Sequence, residues 1–199
     1  LVNLNAGLLE VVTMRPEAYV THAAVPIVAG VTRQSLPPEA LRVLDFTHNL
    51  GVDGNTPGKA IRMISRDALD ATRPTWHADT AATSVSHCMV DARDPLSFYV
   101  YPRQKSNTFI AGVLSTAPSL AASSQLLPVS DLFANALVEF CLYKARAIDA
   151  EHAANAQLAA AHYQMFLSLV SGKGAVDASF GPNANSPLNP NLNVPPRAE

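Results

Sequence analysis

Two short stretches contain the residues best able to do chemistry, and the first is a glycine loop. Residues 51–59 (GVDGNTPGK) place a lysine after glycines, as in loops whose backbone surrounds a phosphate. The spacing differs from such a loop, because three residues rather than four separate Gly54 from Gly58. Ala60 also stands where a serine or threonine would bind magnesium, and a strand rather than a helix is expected to follow. The pattern therefore predicts a tight connection between two strands.

The second stretch is residues 76–79 (WHAD), where His77 could place an imidazole beside the carboxylate of Asp79, as general-base catalysis requires. No serine or cysteine in a nucleophile elbow accompanies this pair, so a hydrolase using the His77 and Asp79 region is kept only as an alternative. The histidines form no HExxH or ExxH pair, and the ten-residue spacing of His152 and His162 puts them on different helix faces. The six are His22, His48, His77, His87, His152 and His162. The sequence predicts no catalytic residue, no metal site and no cofactor.

The two cysteines, Cys88 and Cys141, lie far apart and form no CxxC pair, so synthesis in a reducing, intracellular compartment is expected. Cys88 follows His87 on a predicted strand, where neighbouring side chains point to opposite faces and cannot act as nucleophile and base. Cys141 falls in a predicted helix, where a packing role is expected. Neither cysteine is predicted to be catalytic.

Charge is sparse in this chain. Charged residues make up 15% of the 199 positions, with 14 basic against 16 acidic residues. A protein that grips nucleic acid through phosphate contacts would have a basic excess, and no apolar run is long enough to cross a membrane. The first residues lack the pattern of a signal peptide, and because a helical pattern is already under way at Leu1, further residues are expected upstream. So low a charge predicts that other chains cover part of the surface.

The elements that position these residues predict an α+β fold. Helical spacing of apolar residues indicates helices over residues 1–15, 131–148 and 150–170, the last two forming an antiparallel helical hairpin rich in alanine. Between them lies an antiparallel β-rich region over residues 18–115, with a short helix at 65–69 whose N-cap is Ser65. The predicted strands are 18–28, 31–36, 41–48, 60–64, 84–90, 97–101 and 108–115. Ala29-Gly30 is expected to join the first two strands, and residues 91–95 to join the fifth and sixth.

The predicted organisation is one folded domain over residues 1–171 and an extended C-terminal arm over 172–199. The segment from Gly172 to Glu199 contains five Pro, five Asn and three Gly, a composition that cannot offset the entropy of ordering by burying apolar surface. Spaced apolar residues in it are typical of an arm that orders on a partner. They are Phe180, Leu188, Leu192 and Val194.

A series of motifs, in their order and spacing, resembles the head-to-tail adaptor (connector) proteins of short-tailed bacteriophages, the tail tubular protein A-like group. The resemblance extends over essentially the whole chain. The matching stretches are 4–12 (LNAGLLEVV), 15–18 (RPEA), 32–37 (TRQSLP), 51–54 (GVDG), 57–62 (PGKAIR), 94–95 (DP), 98–102 (FYVYP), 134–137 (ANAL), 142–143 (LY) and 149–151 (DAE).

The resemblance implies a virion protein at the head–tail junction, made in the host cytoplasm, of which about twelve copies form a ring. Such a ring docks under the portal protein, offers a platform to the tail nozzle or tail tube protein, and lets double-stranded DNA pass without specific binding. The helices would form a bundle around the channel, the β-rich region would lie toward neighbours and tail components, and the arm would reach into the portal. Another minor tail or head-completion protein is the alternative.

The near-neutral charge suggests a hypothesis about the channel. A channel that conducts DNA should avoid basic lining residues, because each phosphate contact would slow the passage. Acidic residues of the C-terminal hairpin are therefore candidates for the channel lining. They are Asp131, Glu139, Asp149 and Glu151.

Overall fold

A computed structural model describes residues 1–122, 124–148 and 153–180, except for the side chains of 153 and 173–180. Within these residues the chain is mixed α+β. The helices are α1 (Val2–Met14), α2 (Arg66–Thr72), α3 (Ala134–Ile148) and α4 (Ala153–Phe180), with 3-10 turns at Pro16–Ala18, Trp76–Ala78 and Asp131–Phe133. The strands are β1 (Val20–Ile27), β2 (Arg33–Ser35), β3 (Ala40–Gly51), β4 (Arg62–Met63), β5 (His87–Asp91), β6 (Asp94–Tyr101) and β7 (Thr108–Thr116).

The chain divides into two compact units, a helical unit made of Leu1–Ala18 with Pro118–Glu199 and a β-rich unit made of Tyr19–Ala117. This division separates the predicted helices at the two ends of the chain from the predicted β-rich region between them. Each unit contains its own buried apolar residues.

In the helical unit, α3 and α4 run antiparallel. Glu139 on α3 contacts His162 on α4, and Arg146, two residues before the end of α3, contacts Asn155 near the start of α4. Phe140 lies at the centre of this packing, with its ring centroid 5.1 Å from that of Phe166. These contacts agree with the predicted helical hairpin.

The first helix, α1, packs on α3 at a glycine. A Cβ atom on Gly7 would lie only 2.9 Å from Cδ1 of Phe140, so the absence of a side chain is what permits the close approach. Asn5 joins α1 to the segment before α3, because its side-chain amide donates to the carbonyl of Leu120 and its oxygen accepts from the Leu120 N–H.

The last helix is longer than the sequence analysis predicts. α4 continues to Phe180, so residues 172–180, which we expected in the extended arm, are helical instead. The expectation was wrong because the prolines and asparagines that give the segment from Gly172 onward its composition all lie beyond residue 181. The first residue of this segment that cannot continue a helix is Pro182 and not Gly172.

The β-rich unit contains two sheets. One has the strand order β1-β7-β3 and the other β2-β6-β5-β4. A shared apolar core joins them, in which the rings of Phe46 on β3 and Phe98 on β6 lie 4.6 Å apart. The pairings between these strands are antiparallel except that of β4 with β5, which is parallel and departs from the predicted antiparallel arrangement.

The predicted strands correspond closely to the observed ones, but one predicted pairing is wrong. The turn at Gly30, with φ +74°, does follow β1, yet β1 pairs with β7 and β2 pairs with β6 in the other sheet. The turn is held by side chains from elsewhere, since Gln34 accepts from the Val28 N–H and Asn107 accepts from the Ala29 N–H. The predicted β5–β6 turn is confirmed, with Asp91 opposite Asp94.

Candidate interaction surfaces

The glycine loop is a strand connection, as its spacing predicts. Asp53 closes it, because its carboxylate accepts from the backbone N–H groups of Asn55 and Thr56 and from the Thr56 hydroxyl at 2.8 Å. These hydrogen bonds lower the pKa of Asp53, and the bond from the Thr56 hydroxyl has the largest effect. Gly51 and Gly54 adopt positive φ angles of 70° and 74°, which glycine tolerates best. The carboxylate of Asp53 is thus used in closing the loop itself.

His77 and Asp79 bind different partners. His77 Nδ1 lies 2.9 Å from the hydroxyl oxygen of Thr32, and its ring stacks on Trp76 with centroids 3.6 Å apart. Asp79 accepts from Arg73 at 2.8 Å and from the hydroxyl of Tyr101 at 2.9 Å. The geometry therefore does not assemble the imidazole–carboxylate pair on which the hydrolase alternative depends.

Around these residues lies a polar cluster that sequence reasoning missed. Arg73 donates to the Tyr101 hydroxyl as well as to Asp79, and its pKa is raised by those two partners. Trp76 is fully buried and its indole N–H donates to Asp70 at 2.6 Å. This bond lowers the pKa of Asp70. Each polar group here is held by another, so the cluster fixes a 3-10 turn against β6.

The cysteines are not activated. Burial raises the pKa of the Cys88 thiol and, to a smaller extent, that of the Cys141 thiol, which favours the unreactive protonated form. His87, beside Cys88, has a lowered pKa because it is partly buried and lies near Arg62. In the described part of the chain no group of three or more His, Cys, Asp or Glu residues could hold a metal ion. None of the described helices is both long and apolar enough to span a membrane.

The predicted channel-lining residues have different environments. Asp131 is exposed in the 3-10 turn before α3, and the hydroxyl of Ser130 caps this turn by accepting from the Leu132 N–H. Glu139 is half-buried, with its carboxylate 2.7 Å from Nδ1 of His162. Asp149 and Glu151 fall outside the described residues.

The predicted arm residues lie mostly beyond the described part of the chain. Phe180 is the last residue of α4. Leu188, Leu192 and Val194 fall outside the described residues, and their role stays a prediction.

Several apolar side chains are exposed on the surface of the helical hairpin formed by α3 and α4. Val138 and Leu142 on α3 are 56% and 39% exposed, and Leu158 and Met165 on α4 are 44% and 53% exposed. Surface residues of a helix that meets only water are usually polar or charged. Sequence reasoning identified the apolar positions of both helices, but only the tertiary structure distinguishes those that are buried from those that remain exposed.

The exposed apolar helix faces are typical of a protein that assembles with other chains. The comparison with protein families specifies the class. A model for the SU10 adaptor protein family matches residues 3–189, and the chain therefore belongs to this family of phage adaptor proteins. A search of curated proteins found no match.

Proposed function

We propose that this protein joins the phage head to the tail as one subunit of a ring. The supporting observation is the family match over residues 3–189, which includes residues from both the helical and the β-rich unit. In this proposal about twelve copies dock under the portal protein and offer a platform to the tail nozzle or tail tube protein. Double-stranded DNA passes through the centre without being bound in a specific manner.

The charge of the chain supports the passage of DNA. A total of 14 basic and 16 acidic residues leaves no basic excess that would hold the phosphates. Exposed Asp131 is the described residue best suited to an acidic lining, whereas Glu139 is engaged by His162. We extend the lining proposal to Asp149 and Glu151, which follow α3 in the sequence.

The C-terminal segment supports portal docking. Beyond α4 the sequence combines prolines with the spaced apolar residues Leu188, Leu192 and Val194, a pattern suited to an extended segment that binds a groove. We propose that this segment, beginning at residue 181 instead of 172, contacts the portal protein.

Electron cryomicroscopy of the virion tests the proposed function. We expect a ring of this chain between the portal and the tail, with acidic or uncharged side chains facing the DNA. Density for the chain elsewhere in the particle would favour the alternative, a different minor tail or head-completion protein. A ring whose lumen is dominated by arginine or lysine would contradict the proposed channel lining.

A further inference from the structure

The exposed side of α4 carries no charge along most of its length. From residue 153 to residue 172 the sequence contains no Asp, Glu, Lys or Arg, although many of these positions are exposed. Four exposed positions spaced four, three and four residues apart form what we call the α4 stripe: Ala154, Leu158, Ala161 and Met165. A helix face that meets only water would contain charged residues among these positions.

A second uncharged stripe lies on α3. Its exposed positions, spaced three, four and three residues apart, form what we call the α3 stripe: Asn135, Val138, Leu142 and Ala145. At 3.6 residues per turn, Val138 and Leu142 point away from buried Phe140, whereas Leu158 and Met165 lie on the side of α4 that carries His162. The two stripes therefore occupy different faces of the hairpin.

The charged side chains of α3 are directed into contacts within the hairpin. Glu139 contacts His162 at 2.7 Å, Arg146 donates to Asn155 at 3.3 Å, and the ammonium group of Lys144 lies 5.2 Å from the centre of the Tyr143 ring. The stripes themselves offer no charge to a partner. DNA is a poor partner for such a surface, because its phosphates require cationic side chains. A strongly charged protein surface is a poor partner too, because it would lose hydration without gaining ion pairs.

A second copy of this chain supplies the complementary surface. A ring contact joins two different faces of the same protein, so each subunit must present both halves of the contact. The α3 and α4 stripes meet that requirement, since both are uncharged and each chain has one of each. Ala161 is a small residue between Leu158 and Met165, so a neighbouring helix that presents Val138 and Leu142, one helical turn apart, can approach closely there.

We infer that the α4 stripe of one copy packs against the α3 stripe of the next copy. The inference rests on the proposed ring, and it assigns the surface through which neighbouring subunits meet. The contact buries the exposed parts of Val138, Leu142, Leu158 and Met165, which accounts for the low charge of this part of the chain.

Single charges placed in the stripes test the contact in the full-length chain. Met165→Lys and Leu142→Glu are each expected to raise the concentration needed for half-assembly by about tenfold or more, because an unpaired charge would be buried. Their controls are Gln164→Lys, next to the α4 stripe in sequence but on another side of the helix, and Ala147→Glu, exposed and off the α3 stripe. Both controls are expected to assemble as the unchanged chain does.

Mixing the two variants tests which faces meet. In an equimolar mixture of Met165→Lys and Leu142→Glu, copies can alternate around the ring, so that every contact is either unchanged or a lysine facing a glutamate. Assembly is therefore expected to return to within about threefold of the unchanged chain. A mixture of Met165→Lys with Ala147→Glu is expected to remain defective, because nothing compensates for the buried lysine.

Sedimentation velocity with and without the purified portal ring reports the outcome, and circular dichroism verifies that each variant is folded. The inference is overturned if the folded stripe variants assemble normally, if the mixture fails to recover, or if the unchanged chain stays monomeric in both conditions. These readouts count copies of this chain, whereas the proposed function is tested by position in the virion. A ring at the junction with normal assembly of the variants would therefore reject this contact and leave the proposed function intact.

Discussion

Asn49 on β3 holds three backbone groups that lie outside its own strand. Its side-chain N–H groups donate to the carbonyls of Lys59 and Val85, and its oxygen accepts from the Val85 N–H, all at 2.8 Å. Asn49 is only 7% exposed. Nothing in the local sequence distinguishes this asparagine from one in a turn, so its role is visible only in the folded chain.

Replacing this side chain should be costly. Asn49→Ala leaves the Val85 groups buried without their partner, and we expect the free energy of unfolding to fall by about 2–4 kcal/mol. Urea denaturation monitored by circular dichroism measures the change. Asn55→Ala, which alters an exposed asparagine of the glycine loop, is the matched control and should change the free energy by less than about 1 kcal/mol.

Asp91 gives a prediction about pH. Hydrogen bonds from the Arg93 side chain and backbone lower the pKa of this carboxyl to about 2. The ordinary value is about 3.9, so the folded state binds this proton less tightly than the unfolded state does. The contribution of Asp91 to stability is therefore complete above about pH 4 and is lost as the pH falls toward 2.

Removing the Arg93 side chain tests this coupling. Arg93→Ala should move the pKa of Asp91 upward toward its ordinary value, as measured by NMR titration of the Asp91 carboxyl carbon. Because both groups are at the surface, added salt should reduce the difference. Lys105→Ala removes a different exposed cation and should leave the Asp91 titration where it was. An Asp91 pKa that does not respond to Arg93→Ala would show that the pair has no such effect.

At the scale of the elements, glycines decide where strands and helices can approach. A Cβ atom on Gly112 of β7 would lie 2.7 Å from Cγ2 of Val25 on β1, and 3.4 Å from Cε1 of Phe46 on β3. β7 is the central strand of its sheet, so this position is crowded from both neighbours. At Gly172 in α4, such a Cβ would have no atom within 4 Å apart from its chain neighbours and the nearby backbone of its own helix.

The two glycines should respond in opposite directions. Gly112→Ala is expected to destabilise the protein by about 1–3 kcal/mol, because Val25 and β7 must move apart. Gly172→Ala is expected to stabilise it by up to about 1 kcal/mol, since alanine favours a helix and meets no neighbour. Thermal unfolding of the two variants measures both effects. Equal changes of the same sign would contradict the packing described for β7.

At the scale of the whole molecule, the β-rich unit contains what independent folding requires. Both sheets and their shared core belong to residues 19–117, and the two ends of this segment meet where Val20 of β1 pairs with Ser115 of β7. We expect an isolated fragment 19–117 to unfold cooperatively and to give a dispersed NMR spectrum. A fragment ending at residue 107 lacks β7 and serves as the control, which should not fold.

The C-terminal segment gives the second prediction at this scale. Deleting residues 181–199 should leave the melting temperature within a few degrees of the unchanged value, because α4 is retained to its last residue. Binding to the portal ring should weaken at least tenfold, since the proposed contact is lost. Calorimetry and a portal pull-down measure the two effects. Deletion from residue 173 is a useful comparison, because it also removes the end of α4. Unaltered portal binding by the variant that lacks residues 181–199 would reject the role of the segment.

The features of this protein that its sequence predicts correctly are those that depend on local information. The sequence predicts the strands and two of the helices, 1–15 and 131–148, near their observed bounds. Apolar periodicity and turn residues determine such elements within a few neighbouring positions. The resemblance to phage adaptors was confirmed by the family match. The predicted end of α4 was wrong because the true end depends on the order of the residues after Gly172. An average composition does not contain that order.

The sequence by itself determined the types and positions of most elements, the unsuitability of the glycine loop for phosphate and the family. Only the tertiary structure decided that β1 pairs with β7 instead of with β2, that Asn49 binds Val85, and which apolar residues of the hairpin remain exposed. The physical reason is that hydrophobic periodicity depends on the backbone of a single segment. Pairing and burial depend on the shapes of segments far apart in the chain, which meet only when the chain is folded.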